Sequence, residues 1–194
     1  MKLWGIGLLL VTSSVALSQS SLDKAKKSFS ERDYAKASAY ALAAVNENPK
    51  NSEAMIIAGD ALMESNKLDS AMILYKSAEK LSPKNAAAVR KIGQVLSKQG
   101  KHQEAIKTLQ KAVTLNPKDS YTYLALGEAM LKSESPDQAE QPLLKAKELN
   151  KQLTQACVLL GDFYQSRGKA DPARSNYEDA LRIDANLLDK KKKM

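Results

Sequence analysis

The sequence predicts an all-α protein, a solenoid of stacked antiparallel helix pairs, and three observations carry that prediction. A step of 34 residues places Gly59, Gly93, Gly127 and Gly161 in one column. The same step places Ala37, Ala71, Ala105, Ala139 and Ala173 in a second column, and Ala44, Ala78, Ala112, Ala146 and Ala180 in a third. Around these columns, apolar residues recur at helical spacing on two segments per period. One such hairpin cannot bury its apolar face alone, so successive pairs must stack and share a core.

Composition fits this reading. The chain has 194 residues, 43% of them apolar and only 5% aromatic, with eight glycines and six prolines. A periodic chain grows by stacking, so one elongated unit is expected rather than two separate domains. The start, MKLWGIGLLLVTSSVALSQS, has Lys2 followed by an apolar run from Leu3 to Val11 and a small-x-small site at Ala16-Leu17-Ser18. It reads as a secretory signal peptide over residues 1–18, with Ser14-Val15-Ala16 as a second cleavage site. The apolar run is too short for a bilayer, which needs roughly 20 residues. No Cys follows it, so a lipoprotein anchor is not predicted, and an exported, periplasmic bacterial protein is. Cys157 is the only cysteine, which excludes an internal disulfide, and its register beside Met55, Val89 and Tyr123 makes it a packing residue.

The elements follow in order, as five repeats over about 19–51, 52–85, 86–119, 120–153 and 154–187, with a Lys-rich tail over 188–194. In the first, a helix is expected from Ser21 to Arg32 and a second from Tyr34 to Asn46, ended by Asn48-Pro49. Lys24 and Ser28 stand where large apolar residues are expected, which suits a solvated end cap. The second repeat puts Met55, Ala58, Gly59 and Leu62 on its first helix and Ala71, Tyr75 and Ala78 on its second. Asn66-Lys67 makes its internal turn where later repeats use Gly100 and Gly168, because a helix end there favours positive φ. The fourth repeat carries Tyr123, Leu126, Gly127 and Met130, then Ala139, Leu143 and Ala146. Pro136 suits a first helical turn. Pro142 falls inside the second helix, where proline costs roughly 3 kcal/mol, so a kink or a late helix start is expected. The fifth repeat carries Cys157, Leu160, Gly161 and Tyr164, then Ala173, Tyr177 and Ala180. The tail after it is too short and charged to close the array well, so either the last helix stays partly exposed or a partner or further sequence covers it.

Between Ala86 and Asp119, the residues Val89, Ile92, Gly93, Leu96, Ala105, Leu109, Ala112 and Pro117 occupy the large, large, small, large, small, large, small and Pro places of the tetratricopeptide pattern. From about Gln19 to Leu187 the chain resembles the tetratricopeptide-repeat family. The resemblance implies a right-handed superhelix whose first helices line a concave groove, and protein binding in general rather than any one pathway. The groove columns then give Leu22, Ile56, Arg90, Leu124 and Val158 at the fifth position. They give Lys26, Asp60, Gln94, Glu128 and Asp162 at the ninth, and Phe29, Met63, Ser97, Leu131 and Gln165 at the twelfth. Family members that clamp acidic chaperone tails carry Lys and Asn at the fifth and ninth positions, which are absent here.

The expected binding site is therefore a mixture of apolar side chains (Ile56, Met63, Tyr121, Leu124, Leu131, Val158), acids (Asp60, Glu128, Asp162) and a basic rung (Arg90, Lys91), together with Gln94. Its ligand would be a protein or peptide with apolar anchors and some positive charge. The alternative is that Asp60 and Arg90 pair across adjacent repeats while the apolar residues only pack between helices.

Net charge is +8, and the excess sits on second helices and turns, at Lys76, Lys80, Lys84, Lys101, Lys107, Lys111, Lys145 and Lys147. It reads as a solvated face, or as a contact for anionic lipid or envelope polymer aided by Lys190, Lys191, Lys192 and Lys193. No enzyme is predicted: His102, the only histidine, falls at a turn, and there is no Cys/His cluster, no phosphate loop and no nucleophile with a base, so no cofactor or metal is expected. Three roles remain. The first is an exported scaffold, and the second is the targeting arm of a larger envelope protein. The third, a basic nucleic-acid reader, is opposed by the 34-residue period, Pro49, Pro83, Pro117 and the export signal.

Overall fold

The computed structural model describes residues 21–185, and every regular element among them is helical. The expected signal segment and the Lys-rich tail lie outside the described residues. The helices are α1 (residues 21–30), α2 (Tyr34–Glu47), α3 (Ser52–Glu64), α4 (Leu68–Leu81), α5 (Ala86–Lys98), α6 (His102–Leu115), α7 (Ser120–Leu131), α8 (Glu140–Leu149), α9 (Thr154–Gln165) and α10 (Ala170–Ile183). A single 3-10 turn, Pro136–Ala139, precedes α8. The chain divides into two compact units, one ending at Val95 and one beginning at Leu96. The fold is an α-solenoid, as the sequence predicts.

In the first unit α3 packs on both α2 and α4. Ala25, Ala41 and Ala58 meet in one small cluster, and Met55, Ala78 and Ala88 in another. In the second unit α7 packs on α6 and α8, and α9 on α8 and α10, around a core of Leu109, Leu124, Leu126, Leu143, Leu160 and Phe163. The two alanine columns are the crossing points. Every residue in them is fully buried except Ala173, which is 4% exposed.

The glycine column works through one side chain of the following helix. A Cβ on Gly59 would stand 2.6 Å from the ring of Tyr75, and one on Gly127 would stand 2.5 Å from Leu143. Gly161 meets the ring of Tyr177 in the same way. Ordinary carbon contacts are about 3.5–4.0 Å, so these glycines are seats for a large residue 16 positions later.

The junctions ahead of α3, α5 and α7 are capped by the residue just before the helix. Asn51 Oδ1 accepts from the Ala54 N–H at 3.0 Å, Asn85 Oδ1 from Ala88 at 3.2 Å, and Asp119 Oδ1 from Tyr121 at 3.1 Å. These bonds satisfy N–H groups that a helix start otherwise leaves open. Before α9 the same place is held by Leu153, which gives no cap and is buried in the core instead.

Turns within pairs adopt positive φ at Asn66 (58°), Gly100 (78°) and Gly168 (67°), as expected. Arg32 takes the same conformation at 60°, although its side chain favours it poorly. Pro142 produces the late start. The α-helix begins at Glu140, so Pro142 sits in the first turn, where its missing N–H breaks no intrahelical bond.

Candidate functional site

The odd-numbered helices carry the residues that the sequence singles out. In the first unit, Ile56 is half-buried against the Met55, Ala78 and Ala88 cluster, and Met63 is only 7% exposed. Met63 therefore serves the core rather than an open surface. Asp60 is at the centre of a closed group. The Tyr75 hydroxyl donates to Asp60 Oδ1 at 2.5 Å, and Lys91 Nζ lies 2.7 Å from the same oxygen. Both charged side chains keep less than a fifth of their surface, 19% for Asp60 and 17% for Lys91. This ion pair reaches across adjacent repeats, as the packing alternative has it, through Lys91, the neighbour of the Arg90 named there. Burial, then Asp60, raises the Tyr75 pKa, which keeps its hydroxyl a donor. Arg90 and Gln94 are half-buried on the same helix, and Gln94 Oε1 has no hydrogen-bond partner among the described residues.

In the second unit Tyr121 is 52% exposed, while Leu131 and Val158 are half-buried. Leu124 is only 6% exposed and, like Met63, belongs to the core. Gln155 donates to the Glu128 carboxylate from the start of the next odd-numbered helix. Burial raises the Glu128 pKa against the pull of Lys132 and Lys98. Asp162 is exposed and accepts the Tyr177 hydroxyl at 2.7 Å. The same hydroxyl lies 2.8 Å from Gln165 Oε1. Burial, aided by Asp162, pushes the Tyr177 pKa up to about 12.

Sequence reasoning missed these Tyr–Asp pairs, although a signal was present. In the 34-residue register the ninth position is Asp in the two pairs whose second helix carries Tyr over the glycine, at Tyr75 and Tyr177. It is Gln94 or Glu128 where Leu109 or Leu143 stands there instead.

In the second unit a cavity of about 560 Å³ is lined by Leu144, Lys147, Cys157, Asp179, Arg182 and Ile183 among others. Lys147 donates to Asn176 at 2.7 Å and to Asp179 at 2.8 Å, so its charge is already engaged. Cys157 is 1% exposed, and burial raises its thiol pKa, which fits a packing role. His102 opens α6 with Nδ1 unpartnered among the described residues. Among those residues no group of three or more His, Cys, Asp or Glu is placed to hold a metal ion, and no helix is long and apolar enough to cross a membrane.

Repeat models match this pattern directly. A model described as TPR repeat matches residues 59–100 and 93–133, and one described as tetratricopeptide repeat matches 154–187. The chain carries tetratricopeptide repeats. Solved structures of such proteins superpose on it. A thermophilic TPR protein of Thermus thermophilus matches with a TM-score of 0.81 at 21% identity, over 91% of this chain and 96% of that one. MamA matches with a TM-score of 0.65 at 23% identity, over 88% and 97%. YrrB, described as a TPR protein with an unusual peptide-binding site, matches with a TM-score of 0.59 at 20% identity, over 90% and 91%. At these identities the likeness is one of fold. No curated protein sequence matches the chain. A tetratricopeptide scaffold is a fold typical of protein–protein interaction.

Proposed function

We propose that the chain is an exported, non-enzymatic scaffold of five tetratricopeptide repeats that holds a polypeptide partner along the face of its odd-numbered helices, in the assembly of a bacterial cell-envelope complex. The observation that carries this reading is the state of that face. In the second unit Tyr121 is 52% exposed and Leu131 and Val158 are only partly covered, on the helices that also carry Glu128 and Asp162; in the first unit Ile56 is only partly covered. By contrast, the columns that hold the helix pairs together are alanines with almost no exposure. Accessible apolar surface interleaved with charge suits an extended or amphipathic segment with apolar anchors. The peptide-binding description of YrrB belongs to that protein and lends the reading support by fold alone. Export rests on the signal-like residues 1–18.

The test is a pull-down from envelope extract with the chain from Gln19 onward, beside a variant carrying Ile56→Glu and Tyr121→Glu. Both positions retain exposure, so the variant is expected to fold, as circular dichroism will check. A partner held by the parent and lost by the folded variant supports the reading. Equal retention by both moves the site to the Lys-bearing even-numbered helices or to Lys190–Lys193.

A further inference from the structure

We propose that the chain's own C-terminal segment, residues 186–194, docks on α9 through Lys193, whose ammonium takes the place on Asp162 and Tyr177 that Lys91 takes on Asp60 and Tyr75. The contact is a strap within one chain, and it shields Asp162 from any cationic group of a partner. It goes beyond the reading above and does not depend on it.

The precedent is internal. In both places a glycine precedes the aspartate, a tyrosine 15 residues beyond that aspartate fills the glycine's seat, and its hydroxyl donates back to the carboxylate. Around Asp60 the group is completed by Lys91, 31 residues beyond the aspartate, at 2.7 Å. The residue 31 beyond Asp162 is Lys193. Asp162 is exposed, and among the described residues no cation pairs with it. The single Tyr177 proton faces two acceptors, Asp162 Oδ1 at 2.7 Å and Gln165 Oε1 at 2.8 Å, so the group is short of donors. An ammonium brings three N–H donors, no acceptor and the opposite charge.

The chain has the reach and leaves its last helix in the right direction. Lys91 stands ten residues after Leu81, the end of α4, and Lys193 stands ten after Ile183, the end of α10. The two helices also close alike. Ser82 has φ −138° and ψ 82° and its N–H bonds the Ala78 carbonyl at 3.0 Å, while Asp184 has φ −133° and ψ 90° and bonds Ala180 at 2.9 Å. The same register accommodates Lys190, which falls in the column of Ala88, a residue packed on Met55 and Ala78. At this end the Met55 column holds the smaller Cys157, on the wall of the 560 Å³ cavity that Asp179 also lines. A lysine stem can lie along such a wall with its ammonium in water.

Tethering favours this occupant over a separate chain. A lysine joined to α10 by a short connection meets Asp162 at an effective concentration on the order of millimolar. A second copy stacked head to tail does not fit, because the column of Lys91 holds Asp23 in the first repeat and would set one carboxylate on another.

The test is cross-linking of the full chain with a carbodiimide, which joins a carboxylate only to an amine in contact with it. The expected product is monomeric and carries an amide bond between Asp162 and Lys193, located by fragmentation of its peptides and lost in Lys193→Gln and Asp162→Asn. Amide hydrogen exchange gives a second reading. Lys193→Gln is expected to speed exchange in α9 and α10 by about two- to fivefold, the range of an exposed ion pair. Asp162→Asn should do the same, and the double variant no more than either alone, while Lys191→Gln leaves the rates unchanged. Asp162 joined to another lysine, joined between two molecules or not joined at all overturns the strap, as does an equal effect of Lys191→Gln and Lys193→Gln. None of these outcomes bears on whether the odd-numbered helices hold a polypeptide, so the two readings fail separately.

Discussion

Replacing Gly59 by alanine tests the packing principle on which the helix pairs depend. The new methyl would lie 2.6 Å from Tyr75 Cε1, 2.8 Å from Cζ and 3.0 Å from Cδ1. Restoring an ordinary contact requires a shift of about 1 Å between ring and methyl. The ring cannot give way easily, because Tyr75 has no exposed surface and its hydroxyl is tied to Asp60 at 2.5 Å. Overpacking of this kind costs about 1–3 kcal/mol. Against it stands the better helix propensity of alanine, about 1 kcal/mol. The net expectation is a loss of up to roughly 2 kcal/mol, or up to about 8 °C in melting temperature for a chain of this size. Urea unfolding followed by circular dichroism measures it. The decisive comparison repeats Gly59→Ala in a Tyr75→Ala background. There the obstruction is gone, and the substitution is expected to stabilise by up to about 1 kcal/mol. A parent chain stabilised by Gly59→Ala, or the same loss in both backgrounds, would refute the seat mechanism.

Three further outcomes are expected. Arg32→Gly relieves a left-handed backbone residue at φ 60° and should raise stability by roughly 0.5–1 kcal/mol in the same urea assay, after the added unfolded-state entropy is allowed for. Cys157 should resist a thiol reagent in the native chain and react fully in denaturant, since it is 1% exposed with a raised pKa. Glu128→Gln should show a pH-dependent gain. Because burial raises the folded pKa above the unfolded one, the folded state binds more protons there and loses stability as pH rises through that window. The variant should therefore match the parent below pH 4 and become progressively more stable than it from there toward neutrality, read as the difference in melting temperature across pH.

The fold was legible because its crossing points are steric demands that show at the level of residue type. A helix pair that closes on Gly59 or Ala71 leaves a small residue every 34 positions, and a turn that needs positive φ leaves Asn66, Gly100 or Gly168. Arg32 adopts that same turn without advertising it, because stacking of its neighbours overrides its own preference. Of the candidate site residues, the columns put Asp60, Glu128 and Asp162 at one register position but did not convey depth. Met63 and Leu124 share the register of partly exposed residues and still fall into the core. The tyrosine hydroxyls that engage Asp60 and Asp162 come from a different helix, and reading columns one at a time does not reveal a pair 15 residues apart.

The most direct test of the central proposal is amide hydrogen exchange on the chain with and without the polypeptide that it captures. The account expects added protection on the odd-numbered helices, above all at α3, α7 and α9 around Ile56, Tyr121, Glu128 and Val158. Protection confined to α4 and α6, where the exposed Lys76, Lys80, Lys107 and Lys111 sit, would contradict it.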